Sequence, residues 1–217
     1  MLTGRNHHTV HMGGIPEGAN VFPGYDSIIP KEAASVAEIL KQSGYSTAAF
    51  GKWHLTPVHE QTLTGPFDRW PKGMGFERFY GFLGGETDQF NPELVRDNTC
   101  IDPPATADEG YHLSEDLVDQ LLRMINDNTG LRPDRPFFAY LALQAPHDPF
   151  QLPADWRDRG HCIRGPNGQK TRARQFTGVK PKCSGVVGVE NAHRCNPLGF
   201  GGRDQFGKSR LDRGVSK

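Results

Sequence analysis

Lys52 and His54 are the two side chains whose types and spacing most readily do chemistry together. They close the segment Gly44-Tyr45-Ser46-Thr47-Ala48-Ala49-Phe50-Gly51-Lys52-Trp53-His54. Two residues apart on an extended chain, they point to one side. A cation and an imidazole converging on one spot suit an anionic oxygen, the first supplying charge and the second moving a proton. The alternative is a surface Lys and a His packed beside Trp53. A second imidazole, His147, stands in Gln144-Ala145-Pro146-His147-Asp148-Pro149, just past another apolar run.

The elements that must hold these residues are legible from periodicity. Ala33, Val36, Ala37 and Leu40 follow helical spacing between Glu32 and Gln42, with Pro30 at the start and Gly44 at the stop. Tyr45 to Phe50 reads as a strand, so Lys52 and His54 sit beyond its end, where open α/β sheets place their ligands. Ser114 is a suitable N-cap for a helix from Glu115 to about Asn128, with Leu117, Leu121, Met124 and Ile125 as its buried stripe. Phe137 to Leu143 is an uninterrupted apolar run after Pro136, the pattern of a strand buried on both faces. Alternation of this kind predicts an α/β fold with a doubly wound parallel sheet and helices on both faces. Residues 1–30 read as loop, and 55–110, rich in aromatics, as an ordered excursion of short elements.

Net charge is zero over 217 residues, but it is unevenly placed. Residues 160–217 hold 12 of the 25 Lys and Arg and only Glu190, Asp204 and Asp212 of the 25 acids. This stretch has no apolar period and no core to offset its ordering entropy, which predicts a disordered basic tail. A nucleic-acid tail is the competing reading, but aromatics are sparse and the basic residues scattered. The division expected is therefore 1–159, a folded domain, and 160–217, a tail. Cys100, Cys162, Cys183 and Cys195 form no Cys-x-x-Cys pair, which argues against a zinc site or a disulfide framework. No apolar run is long enough to span a membrane, and the first residues lack the apolar core of a signal peptide.

Leu2-Thr3-Gly4-Arg5 and Gly44 through His54 resemble the two signature segments of the sulfatases. Gly65-Pro66-Phe67-Asp68-Arg69-Trp70, Gly75 through Gln89, and Pro136-Phe137-Phe138 through His147 are similar to bacterial arylsulfatases in particular. The resemblance runs from Met1 to about Asp158. It implies a partial alkaline-phosphatase-like fold and hydrolysis of a small-molecule sulfate ester, with no nucleic-acid or membrane partner. It also implies a calcium ion and a formylglycine made from cysteine. On the matching positions Lys52 would touch the sulfate, His54 would handle the proton of the formylglycine hydrate, and His147 would bind sulfate and protonate the leaving oxygen. The family's Cys-x-Pro-Ser/Thr-Arg should precede Leu2. The nucleophile and the metal ligands are therefore expected to be missing, and the chain to be inactive alone. Cys100 lacks the following Pro and Arg. A frameshift or misplaced gene boundary near Asp158 would account for the change in charge and the end of the resemblance. A non-catalytic anion-binding fragment and a phosphate- or phosphonate-ester hydrolase of the same superfamily remain as alternatives. Glu86 and Asp88 could be read as calcium ligands, but two carboxylates alone are too few and loop solvation is the nearer reading. His7 and His8 could line a substrate entrance or bind adventitious metal, and Asp148 is a candidate to orient His147.

Overall fold

A computed structural model describes residues 1–153, Trp156, 162–164 and 170–172. In chain order the strands are β1 (Ser46–Lys52), β2 (Arg78–Phe82), β3 (Leu94–Arg96), β4 (Thr99–Ile101), β5 (Phe137–Ala142), β6 (Cys162–Arg164) and β7 (Lys170–Arg172). The helices are α1 (Val36–Gln42) and α2 (Leu113–Leu131), with short 3-10 turns at Pro16–Gly18, Val58–Glu60 and Ala107–Glu109. The main sheet has the order β4-β3-β2-β1-β5. β1 is central and parallel to both β2 and β5, whereas β3 and β4 run antiparallel at one side. The expected parallel sheet is thus a mixed one, its antiparallel strands coming from the aromatic excursion.

The pleat of β1 divides the core. Ala48 and Phe50 pack with Tyr80, Phe82, Leu141 and the α2 stripe Leu113, Leu117, Leu121 and Met124. Ala49 packs on the opposite face with Ala37 of α1, Trp53, Trp70, Phe76, Phe79 and Tyr140. One helix therefore covers each face, as the doubly wound pattern requires. Burying one such Leu or Phe stabilises by about 1.5–3 kcal/mol, so the stripe is what seats α2. Asp116 adds a polar anchor: it accepts the phenol protons of Tyr80 at 2.5 Å and Tyr111 at 3.1 Å. Burial and this carboxylate together push both phenols well above their ordinary range.

Both helix starts differ from expectation. α1 begins at Val36, not near Glu32, because Ser35 caps it, accepting the Glu38 N–H at 3.1 Å while its own hydroxyl donates to the Met74 carbonyl. α2 begins one residue before Ser114. His112 is its N-cap and Ser114 lies buried inside the first turn, against Gln89. β1 runs two residues past Phe50, so Lys52 is the last strand residue and not the first loop residue. Of the stretch expected to be a disordered tail, β6 and β7 form an antiparallel pair; the remainder of that expectation lies outside the described residues.

Candidate functional site

Gly51 shapes the end of β1. Its φ is +98°, which L side chains rarely adopt, and a Cβ there would lie 2.0 Å from the Ala142 carbonyl oxygen. Gly81 pairs with it across the sheet and has no room for a side chain either, as a Cβ there would lie 2.0 Å from the Gly51 oxygen. Three strands therefore close up at this point, and the next residue is Lys52. Pairing continues past the strand, as the N–H groups of Trp53 and His54 donate to the carbonyls of Phe82 and Leu83, each at 3.0 Å. The chain is not extended at His54, whose φ is +52°. Lys52 and His54 nevertheless line one cleft of about 310 Å³ at the C-terminal end of the parallel strands.

That cleft has a cationic and an apolar half. Arg5 and His7 join Lys52 and His54, while Leu2, Val10, Met12, Ile29, Leu55 and Leu143 supply the apolar walls. His7 lies against His8 with ring centres 4.1 Å apart and planes tilted by 44°, and His8 Nε2 meets the Tyr25 hydroxyl at 2.9 Å. The charges of Arg5 and Lys52 in a partly enclosed cleft attract an anion more strongly than the same charges in open water.

His54 is largely buried, its side chain 17% exposed, and its Nε2 lies 2.8 Å from Glu17 Oε2. Glu17 belongs to a 3-10 turn within the stretch read as featureless loop. Burial raises its carboxyl, but the hydrogen bond from His54, one from its own backbone, and the charges of His54 and Lys52 outweigh this and hold it below the usual range.

His147 reaches the same end of the sheet from β5, but it does not line the cleft. It is half exposed; Nδ1 contacts the main-chain oxygen of Asp148 at 2.8 Å and lies 3.9 Å from Glu86 Oε2. The acceptor suggested for it, Asp148, thus serves through its backbone and not its carboxylate. A loop after β2 touches both imidazoles: Gly85 lies against the His54 ring and Glu86 near His147. Buried Gln144 ties this loop to the one carrying His147. Its carbonyl oxygen accepts the Thr87 N–H at 2.9 Å, and its amide donates to the carbonyls of Thr87 at 2.7 Å and Asp148 at 3.0 Å. Gln151 repeats the device, accepting the Gln89 N–H and donating to Asp88. Asp88 also accepts the N–H groups of Phe90 and Asn91; these bonds and chiefly that from Gln151 lower its carboxyl. The pairings of Gln144 with Thr87 and of Gln151 with Gln89 and Asp88 span 57 to 63 residues and have no local sequence signal.

Among the described residues no three His, Cys, Asp or Glu converge as ligands for a metal. The carboxylates nearest the site are already engaged: Glu17 by His54, and Asp88 by two backbone N–H groups and Gln151. These residues do not fit a calcium ion. Cys100 lies exposed on β4, one strand of the antiparallel pair at the far side of the sheet, so it does not supply a nucleophile to the cleft. Among the described residues no helix is long and apolar enough to cross a membrane.

Comparison with known proteins gives a consistent picture. A family model described as Sulfatase matches residues 1–197. That range runs past Asp158, where the resemblance carried by the quoted segments ends. An arylsulfatase of Klebsiella aerogenes is 30% identical over 173 residues, 73% of this chain and 34% of the relative. Human arylsulfatase A is 32% identical over 171 residues, 69% of this chain and 31% of the relative. Crystal structures titled Ps i-CgsB, free and with k-i-k-neocarrahexaose, superpose with TM-scores of 0.55 and 0.54 at 23% identity, over 71% of this chain and 35% of theirs. That likeness concerns the fold. The chain spans about a third of the length of the relatives it matches.

Proposed function

The chain belongs to the sulfatase family, and from that premise we propose that its cleft binds the sulfate group of a sulfuric ester of the arylsulfatase type. The observation that carries the reading is the joint exposure of Lys52 and His54 to one cleft, beside Arg5 and His7, at the C-terminal ends of parallel strands. Lys52 supplies a fixed positive charge for sulfate oxygens. His54, held by Glu17, would take or give the proton of an attacking group, and His147, at the adjacent strand end outside the cleft lining, would protonate the leaving oxygen of the ester. The apolar half of the cleft suits an organic group next to the sulfate.

The family implies calcium, a Lewis acid when bound, and a formylglycine nucleophile. The described residues fit neither, and no Cys-x-Pro-Ser/Thr-Arg occurs in the 217 residues. Covalent catalysis needs that nucleophile, so this chain by itself is expected to bind the anion without turning the ester over. Purified chain assayed with an aryl sulfate and calcium checks this; turnover well above blank overturns it. The same absence favours a second reading, an anion-binding segment without catalysis of its own. Inorganic sulfate should raise the melting temperature in the wild type and not in Lys52→Ala. Equal stabilisation of both sinks the sulfate-site reading. Phosphate stabilising far more than sulfate at matched ionic strength would point to a phosphate-ester hydrolase instead.

A further inference from the structure

We propose that Glu17 and Gly85 jointly orient His54, Glu17 by holding its Nε2–H and Gly85 by leaving the space in which that bond forms. The proposal deepens the sulfatase reading and rests on the role given there to His54. Three independent observations converge on it. Glu17 Oε2 lies 2.8 Å from His54 Nε2, across 37 residues of sequence. A Cβ at Gly85 would come 2.8 Å from that same nitrogen, 2.9 Å from the neighbouring Cε1 and 3.5 Å from Glu17 Oε1. His54 itself holds a φ of +52°, a left-handed conformation uncommon for residues other than glycine, which turns its side chain out of the line of β1.

The chemical consequence follows from the two ring nitrogens. A carboxylate accepts but does not donate, so the nitrogen facing it must carry a proton. In the neutral ring this makes Nε2–H the donor and leaves Nδ1 as the nitrogen able to accept one. When the ring takes that proton, Glu17 sits opposite the new charge and stabilises it. Glu17 thus acts through His54; it is a positioning residue and does not line the cleft. A Cβ at Gly85 would press on the edge of the imidazole, so a side chain there would have to displace the ring from the carboxylate.

The test needs neither turnover nor sulfate. Long-range proton–nitrogen spectra of the 217-residue chain report the ring pattern of each histidine. The wild type should show His54 in the Nε2–H form. Both Glu17→Gln and Gly85→Ala should shift the His54 ring nitrogens while leaving those of His147 in place. A merely structural role would lower the melting temperature without moving the ring signals. As a converse measurement, His54→Ala should move the carboxyl titration of Glu17 up toward the ordinary glutamate range. His54 ring signals unmoved in both variants, or a Glu17 titration indifferent to His54→Ala, overturns the proposal. A chain in which sulfate fails to stabilise but these shifts occur removes the sulfatase reading and leaves the pairing intact.

Discussion

His54 and His147 stand past the ends of neighbouring parallel strands, yet they are held in opposite ways. His54 is largely buried and gripped by a distant side chain, Glu17, against the wall formed by Gly85. His147 is half exposed, contacting the carbonyl of its own neighbour Asp148, with Glu86 no nearer than 3.9 Å. What is fixed around His147 is the loop that carries it, through Gln144 and Gln151. The first histidine is positioned by its side chain and the second by its backbone. A substitution in one support should therefore be felt mainly by one histidine.

The largest effect expected is one that erases the contrast. Gly51→Val places a branched side chain at φ +98° against the Ala142 oxygen. Overpacking and backbone strain together cost more than about 3 kcal/mol, and both strand ends should lose order at once. Circular dichroism with a urea titration checks this; a near-normal midpoint would show that the close approach of β1 and β5 is dispensable. Gln144→Ala comes next. It orphans the buried groups the carboxamide satisfies, at about 1–3 kcal/mol for each one left unpaired. Amide exchange at Thr87 should quicken, and the ring signals of His147 should change more than those of His54. A stronger response from His54 would invert the comparison.

His54→Ala should destabilise by about 1 kcal/mol, through loss of a hydrogen bond to a charged group that is weakened because Glu17 is half exposed. His147→Ala should stay within about 0.5 kcal/mol, as a half-exposed residue does. Thermal melts of the two side by side sharpen the contrast, and equal losses would remove it. The smallest expected effect is the pH dependence. Glu17 and Asp88 both have depressed carboxyls in the folded chain. Their stabilisation is complete above the ordinary carboxylate range and is lost as pH falls through their folded values. Glu17→Gln should flatten the part of the acid limb sensed near His54, and Asp88→Asn the part sensed at the Gln151 loop. Acid melts of wild type and the two variants measure this, and superimposable limbs would remove the assignment.

Much of this arrangement is legible without coordinates. The α2 stripe, the uninterrupted run of β5 and the Gly44–His54 block declare their elements, since each depends on neighbours within about two turns or one strand. Lys52 and His54 could be singled out for the same reason. Boundaries were harder. Ser35 caps α1 because its hydroxyl also reaches the Met74 carbonyl, a contact no local pattern reveals. The mixed character of the sheet was hidden too, since β3 and β4 have three residues each, too few for a period.

The sequence by itself thus determined the local chemistry: a glycine able to turn sharply, a cation, an imidazole, and apolar runs that must be buried. It also carried enough ordered segments to mark the family. Only the tertiary structure decided which carboxylate meets which histidine. Glu17 and His54 are 37 residues apart, and Gln144 and Thr87 are 57. Such pairs form because the sheet brings loop ends together: the buried carboxamide of Gln144 must find partners from whatever the fold presents, and half-exposed Glu17 meets the largely buried imidazole of His54. Burial and chain crossing choose that partner, and neither is written in the spacing of residues along one segment.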